Sequence, residues 1–183
     1  IHHGVGLMAC VQVIEVSGDA LDEYLEPLSC ILQRVVADGG SVGFVMPFAG
    51  EAARKYWQRD VFPAIRAGEG VMFLALVDGD PAGTVQLRHG LLPNQTHRSD
   101  VSKLLVDPEY RRRGLGRQLM MTLEDRARCL GKRLLTLDTR SGDVAEPLYL
   151  GLGYETAGSI PQYARAPDGS DRFDATTYMY KVL

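Results

Sequence analysis

A strand stopped by Asp107-Pro108, a turn reading Glu109-Tyr110-Arg111-Arg112-Arg113-Gly114-Leu115-Gly116-Arg117, and a helix from Leu115 to Leu130 follow one another without a break. No other stretch limits the fold as much, because all three parts are legible in the letters. Arg98 to Val106 reads as a long strand, and Pro108 ends it because proline cannot donate to a ladder. Leu115, Leu119, Met120, Leu123, Ala127 and Leu130 recur at three-four spacing, the apolar stripe of a helix laid on a sheet. Glu124 and Arg128, four apart, are expected on its wet side. Gly114 and Gly116 remove side chains where a ligand would approach the main chain. Helix N-terminal amides attract anions, and the guanidinium forks of Arg111, Arg112, Arg113 and Arg117 suit phosphate oxygens. The turn therefore reads as a phosphate or pyrophosphate cradle. It is neither GxGxxG, for want of a third glycine, nor GxxxxGK[ST]. A solvated basic turn ahead of a helix fits the same letters, so the turn alone leaves both readings open.

The flanking sequence supplies the other elements. Val11 to Val16 alternates as a short strand. Asp19 is placed as an N-cap, and a helical stripe runs from Ala20 to Ala37, interrupted at Pro27. Gly40 to Phe48 is too apolar for a solvated connector and is expected to pack or line a pocket. A second helix covers Gly50 to Ala67, bending near Pro63. Val71 to Val77 and Ala82 to Leu87 are strands joined by Asp78-Gly79, a strong hairpin signal. Beyond the Leu115 helix come a strand at Arg133 to Thr139, a short helix at Val144 to Leu152, and strands at Tyr154 to Ile160 and Thr176 to Val182. This order specifies an α/β layer structure around a central mixed sheet.

Composition narrows the function classes. The chain has 183 residues, 45% of them apolar and 23% charged, with net charge −3. Those values suit one globular domain and argue against a general nucleic-acid or acidic-membrane binder. The longest apolar run, Val71 to Val77, cannot cross a bilayer. Cys10, Cys30 and Cys129 are odd in number and scattered, so neither a disulfide framework nor a zinc site is expected, and a reducing cytoplasm fits. Residues 1–8 are read as a tail ahead of a domain at 9–183.

Two motifs turn this reading into a resemblance. Arg111-x-x-Gly114-x-Gly116 between a strand and a helix resembles the acyl-coenzyme A signature of the GNAT superfamily of N-acetyltransferases. Ala145-x-x-x-Tyr149-x-x-x-Gly153-Tyr154 resembles the helix and strand that flank the thioester in that family. The element order agrees over essentially everything from Val11 to Leu183. The resemblance implies a single-domain GNAT-like α/β fold, with a mixed, mostly antiparallel sheet flanked by helices. A nearer likeness is to the tabtoxin-resistance acetyltransferases. It rests on Gly40-Ser41-Val42-Gly43-Phe44, Leu115 to Met120, Leu137-Asp138-Thr139, and Tyr163 with Pro167-Asp168-Gly169. That likeness implies a small-molecule acceptor, though not that family's own substrate. One departure is Gly142, where many members carry Asn.

By this resemblance acetyl-CoA is the cosubstrate. The main chain of Leu104, Leu105 and Val106 pairs with its pantetheine arm, and Arg111, Arg112, Arg113, Gly114, Leu115, Gly116 and Arg117 hold its pyrophosphate. Asp138 and Asp100 are the candidate bases, and Tyr149 is the candidate donor to the departing thiolate. His89 and His97 are expected to be solvated, and Tyr56 and Trp57 to lie in the core. The loop Gly40 to Phe48, with Tyr163, is expected to wall the acceptor pocket. The expected activity is direct acetyl transfer to a small-molecule primary amine, with no metal, nucleic-acid or membrane partner, by a monomer or homodimer. Acetylation of a protein or peptide amine, and a non-catalytic acyl-CoA sensor on the same fold, are the alternatives.

Overall fold

The computed structural model describes residues 8–183. The expected tail therefore lies, save for Met8, outside the described residues.

Seven strands form one sheet: β1 (Val11–Glu15), β2 (Gly70–Val77), β3 (Asp80–His89), β4 (Arg98–Val106), β5 (Leu134–Arg140), β6 (Glu155–Arg165) and β7 (Phe173–Val182). Their order is β1-β2-β3-β4-β5-β7-β6. Every neighbouring pair is antiparallel except β4 and β5. The mixed, mostly antiparallel sheet expected from sequence is the sheet observed. Asp78 and Gly79, at φ +50° and +86°, make the tight turn between β2 and β3.

Helices cover both faces: α1 (Leu25–Ala37), α2 (Gly50–Lys55), α3 (Phe62–Arg66), α4 (Leu115–Cys129) and α5 (Ala145–Gly151). Leu115, Leu119, Met120, Leu123 and Ala127 of α4 pack on Phe73, Val85, Leu87 and Leu135, and Tyr149 and Tyr154 extend this core under α5. Leu28, Ile31, Leu32, Val35, Trp57, Val61 and Phe62 form the opposite core over Met72, Leu74 and Leu105. Burying a large aliphatic or aromatic side chain contributes roughly 1.5–3 kcal/mol, so the two cores hold the sheet between them.

The helices depart from expectation where local propensity is weak. Gly18–Tyr24 is a 3-10 turn before α1, and Ser17, not Asp19, is its N-cap. Pro27 falls at the third residue of α1, where its missing N–H leaves no bond unmade. The expected second helix is three segments. A π-helical stretch, Tyr56–Val61, separates α2 from α3, and Pro63 sits in the first turn of α3. The wider π turn lets Trp57 and Phe62, both fully buried, enter one core. Glu124 is not on the wet side of α4: its side chain is 6% exposed and accepts from Lys181 Nζ at 2.9 Å. On a 100° helical wheel Glu124 lies about 40° from Met120, inside the edge of the apolar stripe. Its partner comes from β7, which no local pattern announces.

Candidate active site

The sheet opens at its parallel pair. β4 and β5 pair only at Arg98↔Leu134, Ser99↔Leu135 and Asp100↔Thr136. β5 continues to pair with β7 as far as Arg140↔Thr176. From Val101 to Val106 the β5-facing edge of β4 therefore has no strand beside it, and the two strands diverge into a wedge. Unpaired main-chain groups at such an edge are what an extended arm with amide groups would satisfy.

A β-bulge lies on the wedge. Thr84 pairs with Leu105 and Gln86 with Ser102, so Lys103 and Leu104 together oppose Val85. Lys103 has φ +53°. The extra residue breaks the alternation of faces: Val101, Leu104 and Val106 all belong to the α4-side core, while Leu105 belongs to the other. Lys103 is thereby turned toward the α1–α2 side. Its Nζ lies 5.8 Å from the centre of the Tyr56 ring. The continuous strand read from sequence carries no sign of this.

The mouth of the wedge is the turn before α4. Pro108–Tyr110 forms a single 3-10 turn, its first amides capped by Asp107, whose carboxylate accepts from Glu109 N at 3.0 Å. Gly114 caps α4 at φ +75°, a conformation that glycine adopts without strain. Gly116 lies close against α5: a Cβ there would stand 3.2 Å from Leu148 Cδ2, so the leucine tip would have to give by a few tenths of an ångström. Arg111, Arg112, Arg113 and Arg117 are exposed. Arg111 pairs with Asp38 at the end of α1, and Arg113 lies over the Tyr110 ring at 5.2 Å. Leu115 and Leu105 are each 1% exposed, so their side chains serve the core. Exposed guanidinium groups around a glycine-framed helix start, at the mouth of an open strand edge, fit a diphosphate with an amide-bearing arm.

Asp138 and Asp100 occupy different surroundings. Asp138 is exposed, lies on β5 two residues beyond the last row paired with β4, and accepts one hydrogen bond, from Thr176 Oγ1 of β7 at 3.0 Å. Asp100 sits in the last paired row, held by Arg98 Nη1 at 2.7 Å and by the Thr136 hydroxyl. Tyr149, on α5, is 6% exposed and packs against Tyr154 at 5.7 Å between ring centres. Burial pushes its hydroxyl pKa upward, and the charges of Asp143 and Asp138 push it further, so it holds its proton. Gly142, the departure noted in sequence, lies in the turn before α5 and donates its amide to Glu146 Oε2 at 2.7 Å.

The loop after α1 closes the far side. Arg140 Nη1 donates to Gly39 O at 3.0 Å, and Met46 N donates to Pro167 O at 2.8 Å. Val42, Phe44 and Phe48 pack onto the α1-side core. Tyr163 bonds Tyr178 hydroxyl to hydroxyl at 2.8 Å, and Tyr178 is the cross-strand neighbour of Asp138. That bond, with burial, Tyr163 and Asp138, pushes the Tyr178 pKa up to about 12. Tyr163 is thereby joined through Tyr178 to the strand row that holds Asp138. A second depression, lined by Cys30, Gln33, Arg34, Ala37, Met46 and Phe48, opens beside α1; it takes two residues of the Gly40 to Phe48 loop but none of the candidate catalytic or coenzyme-binding residues. Trp57 is in the core as expected. His89 ends β3 with Nδ1 3.0 Å from Ser99 Oγ, and burial, with Lys132 and Arg126, lowers its pKa; it is not a freely solvated loop residue.

Among the described residues no helix is long and apolar enough to cross a membrane. Sequence comparison matches residues 38–154 to the acetyltransferase (GNAT) family. A protein of Azospirillum brasilense, described as an uncharacterized N-acetyltransferase in the hisH-hisA intergenic region, is 33% identical over 114 residues. The match covers 61% of this chain and 66% of that protein, just under two thirds of the relative's length. An acetyltransferase of the GNAT family from Streptococcus pneumoniae superposes with a TM-score of 0.72 at 19% identity, over 95% of this chain and 100% of that one. The yncA protein of Salmonella typhimurium, solved with its cofactor acetyl-CoA, superposes with a TM-score of 0.75 at 17% identity, over 94% of each.

Proposed function

The chain belongs to the acetyltransferase (GNAT) family, and on that premise we propose that it transfers acetyl from acetyl-CoA directly to the primary amine of a small molecule. The observation that carries this reading is the wedge between β4 and β5, with Asp138 two residues beyond its last paired row and the buried Tyr149 of α5 within the influence of the Asp138 charge. The kinship with an N-acetyltransferase of Azospirillum brasilense supports an amine as acceptor.

Acetyl-CoA, when bound, supplies a thioester carbonyl and a thiol leaving group. Arg112, Arg113, Arg117 and the α4 amides would hold the diphosphate, and the free edge of Leu104 to Val106 would hold the arm and polarise the carbonyl with a main-chain amide. Asp138 takes the proton of the incoming ammonium, directly or through one water, because a protonated amine has no lone pair to attack with. Its exposure keeps it accessible to that proton. Tyr149 keeps its proton and donates a hydrogen bond toward the departing sulfur, and the proton that neutralises the thiolate is the surplus one that the nitrogen carries after attack. The burial of Tyr149 beside two carboxylates favours the protonated donor. Asp100, already held by Arg98 and Thr136, shapes the start of the wedge. No cysteine or serine stands among these groups in a nucleophile setting, so transfer is direct.

The experiment is an acetyl-CoA thiol-release assay across amines, amino acids, dipeptides and aminoglycosides, with acetyl-CoA binding measured by calorimetry. Turnover of one acceptor class supports the transferase. Tight binding without turnover of any amine overturns it in favour of a sensor, and turnover restricted to peptide or protein amines overturns the small-molecule acceptor.

A further inference from the structure

The acceptor side of the cleft carries a cation that the transfer mechanism does not use. The bulge turns Lys103 toward Tyr56, and its Nζ lies 3.5 Å from where a Cβ on Gly43 would stand. Among the described residues neither Lys103 nor Arg88 makes an ion pair. A half-buried ammonium without a counter-ion is costly. Burial draws its pKa down, Asp138 opposes that shift, and Arg88 adds to it.

A second, independent feature points the same way. Gln86 is 3% exposed, yet its amide Nε2 is buried with no hydrogen-bond partner. It lies beside the Tyr56 phenol, close enough for its side chain to draw the Tyr56 pKa down against the effect of burial, and it is the cross-strand neighbour of Ser102, the residue before Lys103. Arg88 follows two residues along β3, on the same face as Gln86. A buried donor left unmatched costs roughly 1–3 kcal/mol, and native structures seldom leave one without a use. Lys103 and Gln86 thus both lie beside Tyr56, Lys103 feels the charges of Asp138 and Arg88, and Gln86 and Arg88 line a small depression that also holds Asp60, Glu69 and His89.

Resting on the transferase reading above, we propose that the acceptor is a small zwitterion of amino-acid type, whose carboxylate is bound by Lys103 and Gln86 Nε2 with Arg88 nearby, and whose ammonium is thereby directed to Asp138. Opposite charges on the two walls match opposite charges on one small molecule. Polycationic acceptors such as aminoglycosides and polyamines lack the group these donors require, and Lys103 and Arg88 repel them.

The test is kinetic. Free L-amino acids are assayed with acetyl-CoA, each beside its carboxamide and its decarboxylated amine. Wild type is expected to favour the free acid by about tenfold to a hundredfold in kcat/KM, the range for a hydrogen bond to a charged group. Lys103→Met, which keeps the stem and removes the charge, should bring that ratio close to one, mainly through KM, while acetyl-CoA affinity holds. Lys103→Arg should restore part of the preference. Gln86→Leu, close in volume to a buried glutamine, should lower the ratio by a smaller factor. It carries the test with Arg88→Gln if Lys103→Met fails to fold. Carboxamides or plain amines that match the acids in wild type overturn the proposal and leave the transferase standing. So does an acid preference that survives Lys103→Met, or survives both other variants. Absence of turnover on every acid, amide and amine, with acetyl-CoA bound, overturns the transferase and this proposal with it.

Discussion

Asp100 and Thr136 face each other in the last paired row of the two parallel strands, and beyond them the sheet divides. The Thr136 hydroxyl and Arg98 both hold the Asp100 carboxylate, so this row acts as the hinge of the wedge. Asp138, two residues further along β5, has only Thr176 as a partner. One strand thus carries the fixed row and the free carboxylate close together.

That contrast separates the two candidate bases. Asp138→Asn keeps the shape and removes the basicity, and turnover should fall by about 10²-fold or more with acetyl-CoA affinity unchanged. Asp100→Asn should leave turnover close to wild type and cost less than about 1 kcal/mol, because the Arg98 pair is partly exposed. Steady-state kinetics and thermal melts of both variants check this. Loss of turnover in the Asp100 variant alone would reverse the assignment.

Tyr149→Phe deletes one hydroxyl and keeps the ring packed on Tyr154. The expected outcome is a lower kcat with KM for acetyl-CoA near wild type, since the donor is needed mainly as charge gathers on sulfur. A variant equal to wild type on a good acceptor would reduce Tyr149 to packing.

Gly116 is crowded by Leu148, so any side chain there disturbs the contact between α4 and α5. Gly116→Ala and Gly116→Asp share that disturbance, and only the second adds a negative charge at the proposed pyrophosphate site. Coenzyme A affinity, measured by calorimetry, should fall at least about tenfold further for aspartate than for alanine, roughly 1.4 kcal/mol. Equal affinities would move the diphosphate elsewhere.

Lys181 is the counter-ion of Glu124, a carboxylate 6% exposed, and also donates to Leu152 O at 2.5 Å. Lys181→Met leaves the Glu124 charge buried, with only Arg128 at 3.8 Å. Denaturant unfolding should show a loss of about 3 kcal/mol, the low end for a broken buried pair. Adding Glu124→Leu should recover most of it.

Two buried phenols make the fold sensitive to alkali. Burial, with Asp143 and Asp138, raises Tyr149; burial, with Glu124, raises Tyr154. Both are protonated below the ordinary value of 10.0 in folded and unfolded chains alike. As pH rises past that value the unfolded chain releases these protons and the folded one keeps them, so stability declines. Tyr154→Phe should flatten the decline above about pH 10. An unchanged slope would contradict the burial argument.

Much of this was open to reading in one dimension because it depends on near neighbours. The apolar stripe of α4, the Asp-Gly hairpin, the glycine-framed turn at Arg111 to Gly116 and the element order are all periodic or adjacent in sequence, so local sterics and hydrophobic patterning determine them. The resemblance carried by Arg111 to Gly116 and by Ala145 to Tyr154 rests on the same short spans. What the sequence could not determine is whatever needs a partner from far along the chain. Glu124 reads as a surface acid until Lys181 arrives from β7. The turn of Lys103 toward Tyr56 exists because β3 and β4 differ by one residue in register, and register is a property of the pair. The wedge exists because β5 leaves β4 to follow β7 after three paired rows. Strand composition announces none of these. The competition among neighbouring strands for one set of main-chain hydrogen bonds decides them, and that competition exists only once the chain has folded.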